Sequence, residues 1–205
     1  MYIKCCGFQD SETITTAIQH HADAIGFITY PKSKRYVSIN EIKKLTADIP
    51  SDIDRVAVVV NLNKEEIERL IEQTNINTIQ FHGDETHDFI KQVKVTYPKV
   101  QIFKALPANA SLISNLSIYK DTVDMFLIDT PSKDYGGTGQ SFDWQMLREI
   151  HDIQYLIAGG LNEEKIKYIE TLHLNQSGYD ISSGIETNGI KNHEKIKSLL
   201  KNVKG

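Results

Sequence analysis

The sequence lacks the features that mark several large classes of protein. Its 205 residues contain only two cysteines, Cys5 and Cys6, and these are adjacent, which gives no disulfide framework of the kind that secreted domains use. Its apolar runs are far shorter than the about 20 residues that cross a bilayer. The first residues, MYIKCCG, have neither the charged nor the apolar region of a signal peptide. We therefore expect a cytoplasmic protein with no membrane partner.

No basic block and no familiar metal or nucleotide motif is present either. The chain has 23 Lys and Arg against 27 Asp and Glu, a formal charge of -4, and its positive residues are scattered. Nucleic acid is therefore not an expected partner. The sequence has no His and Cys cluster with zinc spacing, no Walker loop and no GxGxxG that opens a helix. We expect no metal site.

Short apolar runs rich in β-branched residues are present, and they recur at nearly even spacing. They predict eight strands, which lie near residues 2, 23, 55, 78, 100, 123, 154 and 178. Amphipathic stretches separate them, with apolar residues at helical spacing such as Ile67 and Leu70. Ser38 with Glu41, and Asn162 before two glutamates, are typical helix starts. The pattern is a strand followed by a helix, eight times.

This repeat predicts the α/β fold class, because parallel strands need crossover helices. Eight units can close into a (β/α)8 TIM barrel, which usually has about 250 residues and at least about 200. No linker interrupts the alternation, so a single catalytic domain over residues 1–205 is expected, of nearly minimal length. A doubly wound open sheet is the alternative, although it usually has fewer strands.

In such a barrel the active site lies at the carboxyl ends of the strands. Period-2 alternation puts Cys6 on the same face of the first strand as Lys4, with Ile3 and Cys5 on the other. If Cys6 points into the barrel, Cys5 points toward the helices. A free cysteine often serves only as a small buried hydrophobe. That is the favoured interpretation of Cys5 and the alternative for Cys6.

Four further charged residues stand out. Asp129 ends an apolar strand, where burying an ionisable group is unfavourable unless the group is paired or has a function, so it is a candidate catalytic residue. The alternative is that Asp129 caps a helix or pairs with a nearby lysine. Lys4 and Asp180 would face each other when the barrel closes, which predicts a structural ion pair. Arg35, in a basic loop, can hold a carboxylate with two hydrogen bonds, unless that loop is only a solvated one.

Small residues follow the sixth, seventh and eighth predicted strands. Glycines let backbone N–H groups approach an anion, and barrels of this kind often bind phosphate after strands seven and eight. We therefore expect a phosphorylated small-molecule substrate. The candidate residues are Gly136, Gly137, Thr138, Gly139, Gly159, Gly160, Ser182, Ser183 and Gly184.

Taken together, the strand ends resemble one family. The motifs are KCCG, PKSKRYVS, IQFHGDE, DYGGTGQSFDW, IAGGLN and ISSGIE, and they are collinear from Lys4 to about Lys197 with those of phosphoribosylanthranilate isomerase. The resemblance implies an Amadori rearrangement in tryptophan biosynthesis, from N-(5-phosphoribosyl)anthranilate to 1-(2-carboxyphenylamino)-1-deoxyribulose 5-phosphate. It also implies that neither a metal nor an organic cofactor is needed.

The resemblance assigns roles to particular residues. It implies that Cys6 is the general base, Asp129 the general acid and Arg35 the holder of the anthranilate carboxylate, with His82 lining the pocket. The small residues after strands six to eight would bind the phosphate. We expect positive charge, with Lys4 as one source, to lower the pKa of the Cys6 thiol. The assembly is expected to be a monomer or a homodimer.

Two alternatives remain open at this point. Another sugar-phosphate barrel, such as indoleglycerol-phosphate synthase or a histidine-pathway isomerase, should carry a set of catalytic lysines or an aspartate at the end of strand one, where this chain has Cys6. A barrel that binds a phosphorylated ligand without catalysis needs neither Cys6 nor Asp129.

Overall fold

Eight parallel strands form a closed barrel in the computed structural model, which describes residues 1–129 and 144–204. The strands follow chain order around the ring, and the last pairs with the first. They are β1 Tyr2–Cys6, β2 Ala24–Ile28, β3 Asp54–Val59, β4 Thr78–Phe81, β5 Gln101–Pro107, β6 Met125–Asp129, β7 Tyr155–Ala158 and β8 Gly178–Ile181. All eight predicted strands are confirmed, and the closed ring excludes the open-sheet alternative.

Helices cover the outside of the barrel. They are α1 Ser11–Gln19, α2 Ile39–Leu45, α3 Lys64–Gln73, α4 His87–Thr96, α5 Leu112–Tyr119, α6 Glu163–Glu170 and α7 His193–Lys204. The predicted starts are confirmed: Ser38 and Glu41 form a capping box, and the Asn162 side chain accepts from the N–H of Lys165. No helix within residues 1–129 or 144–204 is long and apolar enough to cross a membrane.

The sixth helical position differs from the prediction. Where the amphipathic pattern predicts an α-helix before β7, the structure has a short 3-10 helix, Trp144–Glu149. Leu147 is its buried residue, so the apolar contact with the core is kept. The predicted stretch, DWQMLREIH, is shorter than the window of about 11–18 residues in which helical periodicity is clear, so its pattern fits either kind of helix.

Alternation along the strands separates two apolar regions. Ile3 and Cys5 belong to the large core between barrel and helices, as predicted. A smaller cluster fills the barrel itself toward the amino ends of the strands, and we call it the lower layer. It consists of Ala24, Val56, Phe103, Ala105, Leu127 and Leu156, with Tyr2 and Met125 packed against it. Burying one leucine of this kind contributes about 1.5–3 kcal/mol.

A small hairpin follows β8 and lies outside the barrel sheet. A 3-10 turn, Ser183–Ile185, leads into β9 Glu186–Thr187, which pairs antiparallel with β10 Ile190–Lys191. Asn188 and Gly189 form the two-residue turn with φ of 53° and 80°. Positive φ at both positions matches the right-handed twist of a hairpin and suits the Asn-Gly pair. The turn brings Glu186 and Lys191 side by side.

Candidate active site

A cavity of about 360 Å3 opens at the carboxyl ends of the strands. It gathers eight of the residues predicted for the site, namely Cys6, Arg35, His82, Asp129, Gly159, Gly160, Ser182 and Ser183. Ala105 and Leu127 of the lower layer also line it. Gly136, Gly137, Thr138 and Gly139 lie outside the described residues. Gly184 packs tightly against the backbone carbonyl of Leu161, which a Cβ at Gly184 would approach to 2.0 Å.

Cys6 ends β1 with its side chain directed into the barrel. It is 5% exposed and faces Gly26 of the neighbouring strand. A Cβ on Gly26 would lie 2.7 Å from the Cys6 Sγ, so the missing side chain makes room for the thiol. Sequence reasoning missed Gly26. The available signal was a glycine inside an apolar strand, which often marks a close approach of another group.

Two charged groups lie beneath the thiol. Lys4 is fully buried, and its Nζ donates to the Asp180 carboxylate at 2.8 Å, which confirms the predicted ion pair. Burial raises the pKa of Cys6, Lys4 opposes this through charge and a hydrogen bond, and Asp180 adds to it. The expected net lowering is therefore wrong in direction, because loss of water around the thiolate outweighs the lysine. Lys4 is nevertheless the largest influence that favours the thiolate.

The other cysteine has a different environment. Cys5 is fully buried in the outer core, and burial raises its pKa to about 12. Its neighbours are apolar residues of the barrel and helix layers. This supports the interpretation of Cys5 as a packing residue.

Asp129 ends β6 at the mouth of the cavity. It keeps part of its surface exposed, but the surrounding walls remove enough water from the carboxyl to raise its pKa. His82 acts in the opposite sense and Asp180 in the same sense. The Nδ1 of His82 lies 3.4 Å from the Nε2 of Gln80, a buried residue that also lines the cavity. The net effect increases the fraction of Asp129 that is protonated at a given pH.

Arg35 reaches the cavity from the loop after β2, and a carboxylate of the chain already holds it. Its Nε and Nη2 donate to the two oxygens of Glu186 at 2.6 and 2.7 Å. Lys191 donates to the same carboxylate at 2.8 Å and to the backbone oxygen of Ser182 at 2.9 Å. Sequence reasoning missed Glu186 and Lys191. The Asn188–Gly189 turn was the signal that could have found their hairpin.

The proposed anion side of the cavity is formed by two adjacent strand ends. Gly159 and Gly160 follow β7, and Ser182 and Ser183 follow β8. These backbone segments lie opposite the ends of β3 and β4 in the ring. Within the described residues, no group of three or more His, Cys, Asp and Glu side chains could hold a metal ion.

Known proteins are similar in sequence to this chain over its whole length. The family model for N-(5'phosphoribosyl)anthranilate (PRA) isomerase matches residues 3–202. The N-(5'-phosphoribosyl)anthranilate isomerase of Staphylococcus carnosus (strain TM300) is 55% identical over 205 residues, which cover 100% of this chain and 98% of the relative. The chain belongs to the phosphoribosylanthranilate isomerase family. It is accordingly an isomerase of tryptophan biosynthesis.

Solved structures of phosphoribosylanthranilate isomerases have the same fold. The one from Thermotoga maritima has a TM-score of 0.87 and 31% identity, covering 100% of this chain and 99% of that one. Another, in complex with reduced 1-(o-carboxyphenylamino)-1-deoxyribulose 5-phosphate, has a TM-score of 0.86 and 28% identity, with 100% and 99% covered. Family membership argues against both alternatives, which were another sugar-phosphate barrel and a barrel that only binds a phosphorylated ligand.

Proposed function

We propose that this chain converts N-(5-phosphoribosyl)anthranilate into 1-(2-carboxyphenylamino)-1-deoxyribulose 5-phosphate with Asp129 as general acid and Cys6 as general base. The observation that carries the proposal is that these two titratable groups, from β6 and β1, line one cavity. An acid and a base with different environments are what a proton-shuttling isomerisation needs.

Asp129 acts first, in opening the sugar. The furanose ring opens when its ring oxygen takes a proton, which leaves a Schiff base between the sugar carbon and the anthranilate nitrogen. The raised pKa of Asp129 supports this role, because it increases the fraction of the carboxyl that is protonated and can donate. Its position at the cavity mouth leaves room for the sugar between Asp129 and β1.

Cys6 then acts on the carbon next to the Schiff base. Its thiolate takes the proton from C2' of the sugar, giving an enamine that tautomerises to the keto product. A thiol of raised pKa forms a strong base once it is ionised. Lys4, buried below it and charged through its pair with Asp180, stabilises the thiolate when it forms.

Anchors at the two ends of the substrate would fix the reacting carbons. Arg35 holds the anthranilate carboxylate, and the segments with Gly159, Gly160, Ser182 and Ser183 hold the phosphate, with Gly136, Gly137, Thr138 and Gly139 as further candidates and His82 lining the pocket between them. Binding at both ends reduces the freedom of the sugar between the acid and the base.

A turnover assay tests the proposal. Freshly prepared phosphoribosylanthranilate is mixed with the purified, folded protein, and the loss of substrate fluorescence is followed. We expect turnover that requires no added metal or cofactor. A folded protein that binds the reduced product analogue without turning over substrate would contradict the proposal and favour a binding protein.

A further inference from the structure

Glu186 is a buried carboxylate for which the proposed mechanism has no use. Its side chain is 5% exposed at the start of β9, and its oxygens accept three hydrogen bonds from two cations. Burial alone would disfavour its charge, but the bonds from Arg35 and Lys191 lower its pKa to about 2. Glu186 is therefore an anion throughout the neutral range, fixed against the residue that anchors the substrate.

The way in which Glu186 binds Arg35 leaves one edge of the guanidinium open. A guanidinium has five N–H groups in a rigid plane, and Nε with one N–H of Nη2 forms its side edge. Glu186 occupies that edge. Within residues 1–129 and 144–204, the Arg35 side chain donates only to Glu186, through Nε and Nη2, so the end edge, formed by Nη1 and the second N–H of Nη2, has no acceptor among these residues. That edge can bind another carboxylate with two parallel bonds.

The backbone around Arg35 supports the same orientation. A Cβ on Gly7 would lie 2.5 Å from the Arg35 Cδ, so the arginine stem passes directly over the residue that follows Cys6. Gly7 has φ of 85°, which also favours glycine. The stem is thereby confined between Gly7 and Glu186, although the arginine side chain is still 18% exposed toward the cavity.

Charge would oppose this arrangement without Lys191, since a carboxylate beside the anchor repels an incoming carboxylate. Lys191 is buried and pairs with the same Glu186 oxygen that accepts from Arg35 Nε. Two cations and one anion leave the cluster with a net positive charge. Lys191 also bonds to the backbone oxygen of Ser182, which fixes the hairpin to the strand end that carries the anion side.

We propose that Glu186 is a positioning residue for recognition of the substrate carboxylate: it holds the side edge of Arg35 so that the end edge faces the cavity, while Lys191 cancels its charge. The inference rests on the proposed role of Arg35 as the anchor. It adds that the preference for a carboxylated substrate depends on a residue that does not touch the substrate.

The test compares two ligands. One is reduced 1-(o-carboxyphenylamino)-1-deoxyribulose 5-phosphate, and the other is the same compound with phenyl in place of carboxyphenyl; their Kd values give the carboxylate preference of each variant. We expect Glu186→Gln to reduce that preference about tenfold, as for the loss of one charge-assisted hydrogen bond, by weakening only the carboxylated ligand. Asp124→Asn, which removes an ion pair with Lys94 at the amino end of β6, should leave both Kd values as they are.

A second variant tests whether Glu186 acts by orienting Arg35 or by changing the net charge of the cluster. It also provides an independent test if the single variant folds poorly. Glu186→Gln combined with Lys191→Met removes one anion and one cation, so the net charge of the cluster is that of the wild type. We expect the same selective loss, because Arg35 still lacks its partner. A wild-type carboxylate preference in the double variant would show that Arg35 does not need the Glu186 carboxylate for its orientation and would overturn the proposal.

Other outcomes are equally decisive. Equal weakening of both ligands would mean that Glu186 only stabilises the hairpin, and tighter binding of the carboxylated ligand would mean that it repels the substrate; either overturns the proposal. A wild-type protein with no carboxylate preference would instead overturn the role of Arg35 itself. Failure of the inference and failure of its premise are thus different results.

Discussion

The barrel interior has two layers of opposite composition. The lower layer is apolar, and the Tyr2 ring meets Phe103 edge-on, with centroids 6.4 Å apart, at the amino end. The upper layer, which we define as Lys4, Cys6, Gln80, Asp129 and Asp180, is polar. A step of two residues separates them, as from Leu127 to Asp129 on β6. On β6, packing and chemistry therefore share the inward face of one strand and differ only in height.

The difference between the layers shows how a small barrel can bury charged groups, whose loss of water is unfavourable. Lys4 and Asp180 are paired, and the thiol of Cys6 rests on them, so the buried charges of the upper layer stabilise one another. The lower layer contains only apolar groups, and its energy comes from burial. Substitutions in the upper layer should act on activity and those in the lower layer on stability.

The largest effects should come from the acid and the base. We expect Cys6→Ser and Asp129→Asn each to reduce kcat about a thousandfold with a modest change in KM, since each removes a proton-transfer group. Cys5→Ala, one residue from the base but in the outer core, should remain active. Steady-state kinetics of the three proteins checks this. An active Cys6→Ser beside an inactive Cys5→Ala would reverse the assigned faces of β1.

Truncation in the lower layer should give the opposite result. Leu156 is fully buried there and does not line the cavity. We expect Leu156→Ala to lower the free energy of unfolding by about 2–5 kcal/mol, through lost burial and a cavity. Urea unfolding measures the loss, and kcat of the folded variant at low temperature should stay near the wild-type value. A large fall in kcat without a stability change would break the division between layers.

Two glycines allow the division to be tested with the same substitution. Gly26→Ala places a Cβ 2.7 Å from the Cys6 Sγ in the upper layer, whereas Gly178→Ala places one 1.7 Å from the backbone oxygen of Tyr2 where β1 pairs with β8. We expect the first to reduce kcat about tenfold by displacing the thiol. The second should lower stability by at least about 1–3 kcal/mol, because the backbone must move. Kinetics and unfolding of both variants should give opposite patterns, and matching patterns would refute the distinction.

The smallest effect concerns pH. Burial raises the pKa of both reacting groups, the Cys6 thiol and the Asp129 carboxyl. Because both pKa values move in the same direction, we expect the carboxyl to stay the stronger acid, as it is in free side chains. The reactive form, with ionised Cys6 and protonated Asp129, is then a minority of the singly protonated pair. Under that condition kcat/KM falls on the acid side through the pKa of Asp129 and on the alkaline side through that of Cys6.

His82→Asn should move the acid side of this profile. His82 lowers the pKa of Asp129, so its removal raises that pKa and shifts the acid limb to higher pH, by less than about one unit. The pH dependence of kcat/KM for both proteins measures the shift. An acid limb that stays in place or moves to lower pH would show that Asp129 does not control it.

Much of this arrangement could be predicted from local patterns. Period-2 alternation was enough to place Lys4 and Cys6 inside the barrel and Cys5 outside, because every strand has a buried outer face. The closing of the ring then predicted the partner of Lys4. These two predictions depended only on strand direction and chain order, and both are confirmed.

The rest depends on contacts between distant segments. Glu186 and Arg35 are 151 residues apart, and no local pattern around either residue indicates the other. The net pKa of Cys6 was also out of reach, since it is set by how much water the finished barrel removes from the thiol rather than by the lysine two residues away. The amino-acid composition does not predict how exposed one particular atom is in the folded protein.

The pairing of Lys4 with Asp180 has a consequence for how the enzyme is made. The two residues are separated by 176 positions, so β1 can meet β8 only after almost the entire chain has left the ribosome. Until then Lys4 has no carboxylate, and the thiol beside it has neither its support nor its walls. The Lys4–Asp180 pair, and with it the complete support of the Cys6 thiol, can therefore form only after β8 has been synthesised.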